Sequence, residues 1–153
     1  METAKNMVAT FHEKYGVSPA EPMRTARNIK LKRTAESMLQ MASVLEDFIK
    51  VEDMRTLRAH LVLEEAGEFI DALADGDEIR ALDGLMDLLY VALGTAVTFD
   101  WPVMEAFVEV HSSNMTKIRK EGDAGRVRDK GTTFRPPELR PLLAAHRGVE
   151  VNT

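Results

Sequence analysis

Apolar residues recur at three- and four-residue spacing along most of this chain, a rhythm that predicts helices rather than strands. Near the start, Met7, Val8, Phe11 and Tyr15 fall on or near one side of a helix over 4–15. Gly16 and the run Ser18-Pro19-Ala20-Glu21-Pro22 end it as a loop. From about Thr25 to Lys50 the pattern is helical again, as one helix or two, with Ile29, Met38, Met41, Ala42, Leu45, Phe48 and Ile49 as core positions. A third segment begins around 51–53 and runs through Glu68 to about Ala74. Asp75-Gly76-Asp77 makes a turn, and the next helix extends from near Glu78 to Phe99. Asp100 suits a helix cap and Pro102 a first turn, so a further helix should start there. It carries Met104, Phe107, Val108 and Met115 and ends near Lys120.

Beyond Glu121 the pattern changes. Gly122-Asp123-Ala124-Gly125 signals a turn, Arg126 to Gly131 a short hairpin arm, and Phe134-Arg135-Pro136-Pro137 an extended stretch. The expected architecture is all-α: a helical bundle with a short irregular or hairpin C-terminal arm. One domain is expected over 1–145, with a frayed tail over 146–153.

Composition narrows the function classes. The chain has 153 residues, 44% apolar and 29% charged, which describes an ordinary soluble protein. It has no cysteine, so disulfides, thiolate zinc sites and cysteine nucleophiles are excluded, and a cytoplasmic setting is expected. The polar start lacks the apolar core of a signal peptide. A net charge of -5 argues against stable nucleic-acid binding. The apolar run from Leu82 to Phe99 is long enough to raise the question of a membrane span. Asp83 and Asp87 inside it, with two glycines, point to a buried bundle helix and no membrane.

The candidate chemistry sits in two acidic segments. Glu64, Glu65, Glu68 and Asp71 share an arc of roughly 120° on one helix; Asp83, Asp87, Tyr90 and Gly94 share roughly 60° on the next. A short connection lets the two fold back as an antiparallel pair, so that their acidic faces form one pocket. Carboxylates gathered in this way repel, by roughly 4 kcal/mol for two unit charges about 4 Å apart at an effective dielectric near 20. A hard divalent cation would offset that. A charge run is ordinarily a solvated face, but the second helix is apolar nearly all round, and a buried Asp87 would need a partner. An all-carboxylate set favours Mg²⁺, or Mn²⁺, over zinc. The histidines His12, His60, His111 and His146 have no useful spacing to the cluster, and Glu109-Val110-His111 lacks the Glu-x-x-His spacing of a di-iron bundle.

These residues carry a family likeness. Glu64-Glu65-x-x-Glu68, followed by an acid and then Asp87-Leu88-Leu89-Tyr90, resembles the all-α nucleoside triphosphate pyrophosphohydrolases. That superfamily holds MazG, dimeric dUTPases and phosphoribosyl-ATP pyrophosphohydrolase. Phe11-His12-x-x-Tyr15-Gly16, Gly94-Thr95-Ala96, Glu109 through Lys117, and Phe134-Arg135-Pro136-Pro137-Glu138-Leu139 look like its MazG-like branch. Roughly 30–50 looks like extra helical length. One position departs: the family pattern usually has an acid three residues before the final Asp, and here it is Gly84, with Asp83 one residue earlier.

The resemblance implies hydrolysis of a nucleoside triphosphate, dUTP or a purine dNTP foremost, between the α and β phosphates. It implies Glu65, Glu68 and Asp87 as metal ligands, Asp83 as a substitute ligand, and Glu64 as ligand or base. Lys117 is the expected phosphate contact among the cations Arg119, Lys120, Arg126, Arg128, Lys130 and Arg135. Asn114, Tyr90, His12 and Tyr15 are expected around the base and sugar, and a homodimer or homotetramer is implied. The rivals are a phosphoribosyl-ATP pyrophosphohydrolase and a non-catalytic helical protein whose acidic stripes bind a basic partner.

Overall fold

A computed structural model of the chain describes residues 2–17, 21–50, 53–119 and 128–149. The element order is α1 (Glu2–Tyr15), α2 (Ile29–Glu46), α3 (Met54–Asp75), α4 (Glu78–Phe99), α5 (Val103–Met115), β1 (Ile118–Arg119), β2 (Arg128–Asp129) and α6 (Leu139–His146). Helices dominate, as the periodicity predicts. The Ser18-Pro19-Ala20 segment, Lys120, the Gly122–Gly125 turn, Arg126 and residues 150–153 lie outside the described residues.

Contacts divide the chain into two compact units, Met1–Glu21 with Trp101–Thr153, and Pro22–Asp100. The second unit is a three-helix layer in which α3 packs against both α2 and α4. Its helices start on side-chain caps: Asn28 accepts from Lys30 and Leu31, Asp53 from Arg55, and Asp77 from Arg80. α3 stops at Gly76, whose φ of 73° is the left-handed geometry a glycine adopts without steric cost. The two chain reversals make neighbouring helices antiparallel. At the α3/α4 seam Gly84 meets Phe69 and Gly94 meets Arg58, while at the α2/α3 seam Gly67 meets Leu39.

The core is built of small residues: Ala35 and Ala42 on α2, Ala72 and Ala74 on α3, Ala81 and Ala96 on α4. Small side chains bring the helix axes close but leave the large apolar residues elsewhere. Ile29, Met41 and Phe48, expected in the core, are 58%, 60% and 62% exposed, because α3 covers only the alanine face of α2. The expectation for α4 also fails. It is long and apolar enough to cross a membrane by length and composition, but only 17% of that apolar window is buried. Ile79, Tyr90 and Val97 are about four-fifths exposed, because α4 packs against α3 on one side only.

In the first unit α1 packs on α5, burying Phe11 and Tyr15. Three local expectations are corrected here. Asp100 does not begin α5; its φ of 51° and its N–H to the Ala96 and Val97 carbonyls close α4, and α5 starts at Pro102 with no side-chain cap. α5 ends at Met115 rather than near Lys120, because the Thr116 hydroxyl and N–H both turn back to Ser113 and the Tyr15 hydroxyl takes up the Asn114 and Lys117 carbonyls. The C-terminal arm does contain an antiparallel pair, but Ile118–Arg119 supplies the first strand, where a helix was expected. α6 was not foreseen. Its Pro141 falls within the first turn, where the backbone N–H has no helical partner to lose.

Candidate metal and nucleotide site

The α3/α4 seam brings the predicted acids into one electrostatic neighbourhood. With Arg58 opposite Gly94 and Phe69 opposite Gly84, the antiparallel register sets Glu65 beside Asp87. Glu65 is half-buried, and its carboxyl is pushed above the ordinary glutamate range. Burial is the largest cause, followed by the charges of Glu68, Asp87, Glu64 and Asp83. Four carboxylates, two from each helix, therefore act on Glu65 across the α3/α4 seam.

The premise of a deeply buried Asp87 does not hold. Asp83, Asp87 and Glu68 are exposed, Glu64 and Glu65 intermediate. Among the described residues no group of three or more His, Asp or Glu side chains is gathered closely enough to hold an ion. The donor set nevertheless fits a hard divalent cation: it is all oxygen, and the mutual repulsion felt at Glu65 is what such an ion would relieve. The exposed Glu68, Asp83 and Asp87 have rotamer freedom to turn inward.

Asp71 leaves the cluster. Lys32 from α2 lies 2.7 Å from it and Arg80 from α4 3.2 Å, and the same two cations reach Asp75. The acidic arc on α3 thus splits into a paired end that ties three helices together and an end at Glu64, Glu65 and Glu68 that has no Lys or Arg partner among the described residues. Gly84 explains the departure from the family pattern. A Cβ there would stand 3.0 Å from the Phe69 Cα and 3.1 Å from its backbone nitrogen, so an acid at 84 would press on the α3 main chain and force the seam to give by a few tenths of an ångström. Asp83 is the nearest position with open space.

Sequence reasoning missed His60. Its ring is buried, Nδ1 donates to the Ala42 carbonyl at 2.9 Å, and Nε2 lies 3.5 Å from Glu64 Oε2. The signal was present in the i,i+4 spacing to Glu64, the pair that helix geometry brings together.

The expected nucleotide contacts are placed differently. In the first unit, His12, Asn114 and Lys117 line a cleft of about 320 Å³ with Val8, Phe11, Phe107, Val110 and His111. Lys117 Nζ donates to Asn114 Oδ1 at 2.7 Å, which fixes both side chains at the cleft wall. Tyr15 is 1% exposed and its hydroxyl holds main-chain carbonyls, so it supports this wall from behind rather than facing it. Tyr90 lies on α4 in the other unit and is 80% exposed. Arg135 is not a free cation: it pairs with Glu109 at 2.5 Å, and Glu109 also accepts the Glu138 N–H at 2.9 Å. The arginine and that N–H hold the Glu109 carboxyl below its usual range. The side chains of Arg119 and Arg128 and all of Lys120 and Arg126 lie outside the described residues.

Residues 45–114 match the family profile of phosphoribosyl-ATP pyrophosphohydrolase. No curated protein and no solved structure matches the chain. The matched span contains all five clustered acids and Asn114, and excludes His12, Tyr15 and Lys117. The segment 45–114 is thus a phosphoribosyl-ATP pyrophosphohydrolase domain, a kind of domain that belongs to the MazG-like all-α nucleoside triphosphate pyrophosphohydrolase superfamily, whose members are hydrolases acting on phosphoric anhydrides.

Proposed function

We propose that the protein is a Mg²⁺-dependent nucleoside triphosphate pyrophosphohydrolase that releases a monophosphate and pyrophosphate, with dUTP or a purine dNTP as substrate. The observation that carries this reading is the α3/α4 register that sets Glu65 beside Asp87 within the span matched by the family profile, and the raised Glu65 carboxyl agrees with it. Glu65, Glu68 and Asp87 are the proposed ligands, with Asp83 standing in for the acid that Gly84 cannot carry. When bound, Mg²⁺ or Mn²⁺ supplies charge neutralisation of the polyphosphate, polarisation of the phosphorus under attack and a lowered pKa for water.

Glu64 is the proposed base. It takes the proton as the water oxygen bonds to the α phosphorus, and the bond to the bridging oxygen breaks to release pyrophosphate. His60, with Nδ1 anchored to Ala42 and Nε2 3.5 Å from Glu64, can hold that carboxylate in orientation when Nε2 also carries a proton. Lys117 is the proposed phosphate contact in its own unit, with Asn114 and His12 as base or sugar contacts in the cleft they line. Tyr90, exposed on α4, remains a candidate sugar contact, and Tyr15 a residue that shapes the cleft wall. We further propose a homodimer or homotetramer, because the exposed apolar residues of α4 form a surface that a second copy would cover. A cytoplasmic protein with neither membrane nor nucleic-acid partner completes the reading.

A second reading, a phosphoribosyl-ATP pyrophosphohydrolase, is favoured by the family profile over 45–114. One experiment separates the two. Pyrophosphate release is measured with Mg²⁺ across the eight common NTPs and dNTPs and phosphoribosyl-ATP, for wild type, Glu68→Ala and Asp87→Ala. Selective turnover of a deoxynucleotide, lost in both variants, is expected. Turnover of phosphoribosyl-ATP alone replaces the first reading with the second, and full activity in the variants refutes the ligand assignment.

A further inference from the structure

Three cations stand on α3 and α4 apart from His60: Arg55, Arg58 and Arg80. Arg55 pairs with Asp53, and Arg80 with Asp71 and Asp75. Arg58 makes no ion pair among the described residues, and its Nε is sealed from solvent with no hydrogen-bond partner. A long cationic side chain that only shields apolar surface keeps its nitrogens in water. A sealed guanidinium N–H without an acceptor is a group still waiting for one.

Its position says what that acceptor would be. Arg58 and Glu65 are seven residues apart on α3, so they share a face and stand about 10 Å apart along the axis. Gly94 and Asp87 are seven apart on α4 in the same way. The two pairs lie across from each other, since a Cβ at Gly94 would come within 3.1 Å of Arg58 Nη1. Gly94 therefore leaves room for the guanidinium to lie against the α4 backbone, two turns along the groove from the acids.

We propose that Arg58 binds the polyphosphate tail of the substrate, holding the pyrophosphate leaving group with its planar fork of N–H donors while the acid cluster holds the metal end. This deepens the proposed pyrophosphohydrolase reading and rests on it for the identity of the substrate. The fork geometry matches phosphate oxygens in a bidentate way that a lysine ammonium does not. Swung out from the α4 backbone, the guanidinium would find in an anion the acceptor its Nε lacks, and the cation would offset the repulsion between the phosphates and the carboxylates beyond it.

The test is calorimetric titration of inorganic pyrophosphate, with Mn²⁺ present, into wild type, Arg58→Met and Arg58→Lys, together with titration of Mn²⁺ alone. Arg58→Met is expected to weaken pyrophosphate binding roughly tenfold to hundredfold, the range for a lost charged hydrogen bond. Its Mn²⁺ affinity should stay at the wild-type value, and Arg58→Lys should fall between the two for pyrophosphate. Unchanged pyrophosphate affinity in Arg58→Met overturns the proposal, as does an equal loss of Mn²⁺, which would make Arg58 a support for the acids. Should the methionine variant fail to fold, wild-type pyrophosphate affinity in Arg58→Lys overturns it on its own. A wild-type protein that binds pyrophosphate through Arg58 yet hydrolyses no nucleotide refutes the proposed activity while upholding this site.

Discussion

His60 Nε2 stands 3.5 Å from Glu64 Oε2, one helical turn away, while Nδ1 of the same ring donates to the Ala42 carbonyl of the neighbouring helix. A carbonyl only accepts, so Nδ1 carries a proton and the ring plane is fixed by α2. Glu64 thereby faces a ring whose position is set where its own helix meets α2, and Nε2 can donate to the Glu64 carboxylate when it too carries a proton. His60→Ala is expected to lower kcat about 10–100-fold, the usual range for a residue that orients a functional side chain. KM should change little, and Mn²⁺ titration with steady-state kinetics checks both.

Glu65 predicts the behaviour of the metal-free protein. Its folded-state pKa is raised, so the folded chain binds more protons than the unfolded one, and the penalty is absent below the ordinary value of 4.5. It grows as pH rises through the raised value and remains at neutral pH. Glu65→Gln should therefore melt higher than wild type in chelator at neutral pH, and the gap should close on acidification. Adding Mg²⁺ should raise the wild-type melting temperature and leave the variant's almost unchanged. Thermal melts at several pH values with and without the ion decide this.

Gly84 predicts a cost for restoring the family pattern. An acid at this position meets the Phe69 backbone at 3.0 Å, and a main chain cannot swing aside as a flexible side chain does. Gly84→Glu is expected to destabilise by about 1–3 kcal/mol, the range for overpacking. Asp83→Ala at the neighbouring exposed position should fall within about 0.5 kcal/mol of wild type. Urea denaturation of both variants makes the comparison.

Glu109 and Arg135 give the first unit its own pH dependence. The Glu109 carboxyl is held low by the Arg135 guanidinium and then by the Glu138 N–H. The stability it contributes is fully present above the ordinary value of 4.5 and is lost as pH falls through the depressed folded value. Glu109→Gln should remove that acid-side loss and lower stability at neutral pH. Melting curves between acid and neutral pH, compared with wild type, test the sign.

The chain's own pattern was enough to expect the helices before the C-terminal arm and the adjacency of the two acidic segments. Helix periodicity is a local property, and α4 emerges over the span its apolar run predicts, Glu78–Phe99. The spacing of Glu65 and Asp87 within their helices, with a three-residue turn between, already implied that their charges would meet. Three-dimensional packing decided which apolar residues were covered and which polar groups found partners. Met41 reads as core by hydrophobicity, but α3 sits on the alanine face of α2 and leaves it in solvent. Asp71 belongs to the acidic arc by angle, yet Lys32 and Arg80 approach it from two other helices. No sequence period encodes such encounters, because they depend on the distance between helix axes, which the glycines and alanines set at the seams. The same closeness gives Gly84 its place, sets the His60 ring against the Ala42 carbonyl and leaves the Arg58 Nε without an acceptor.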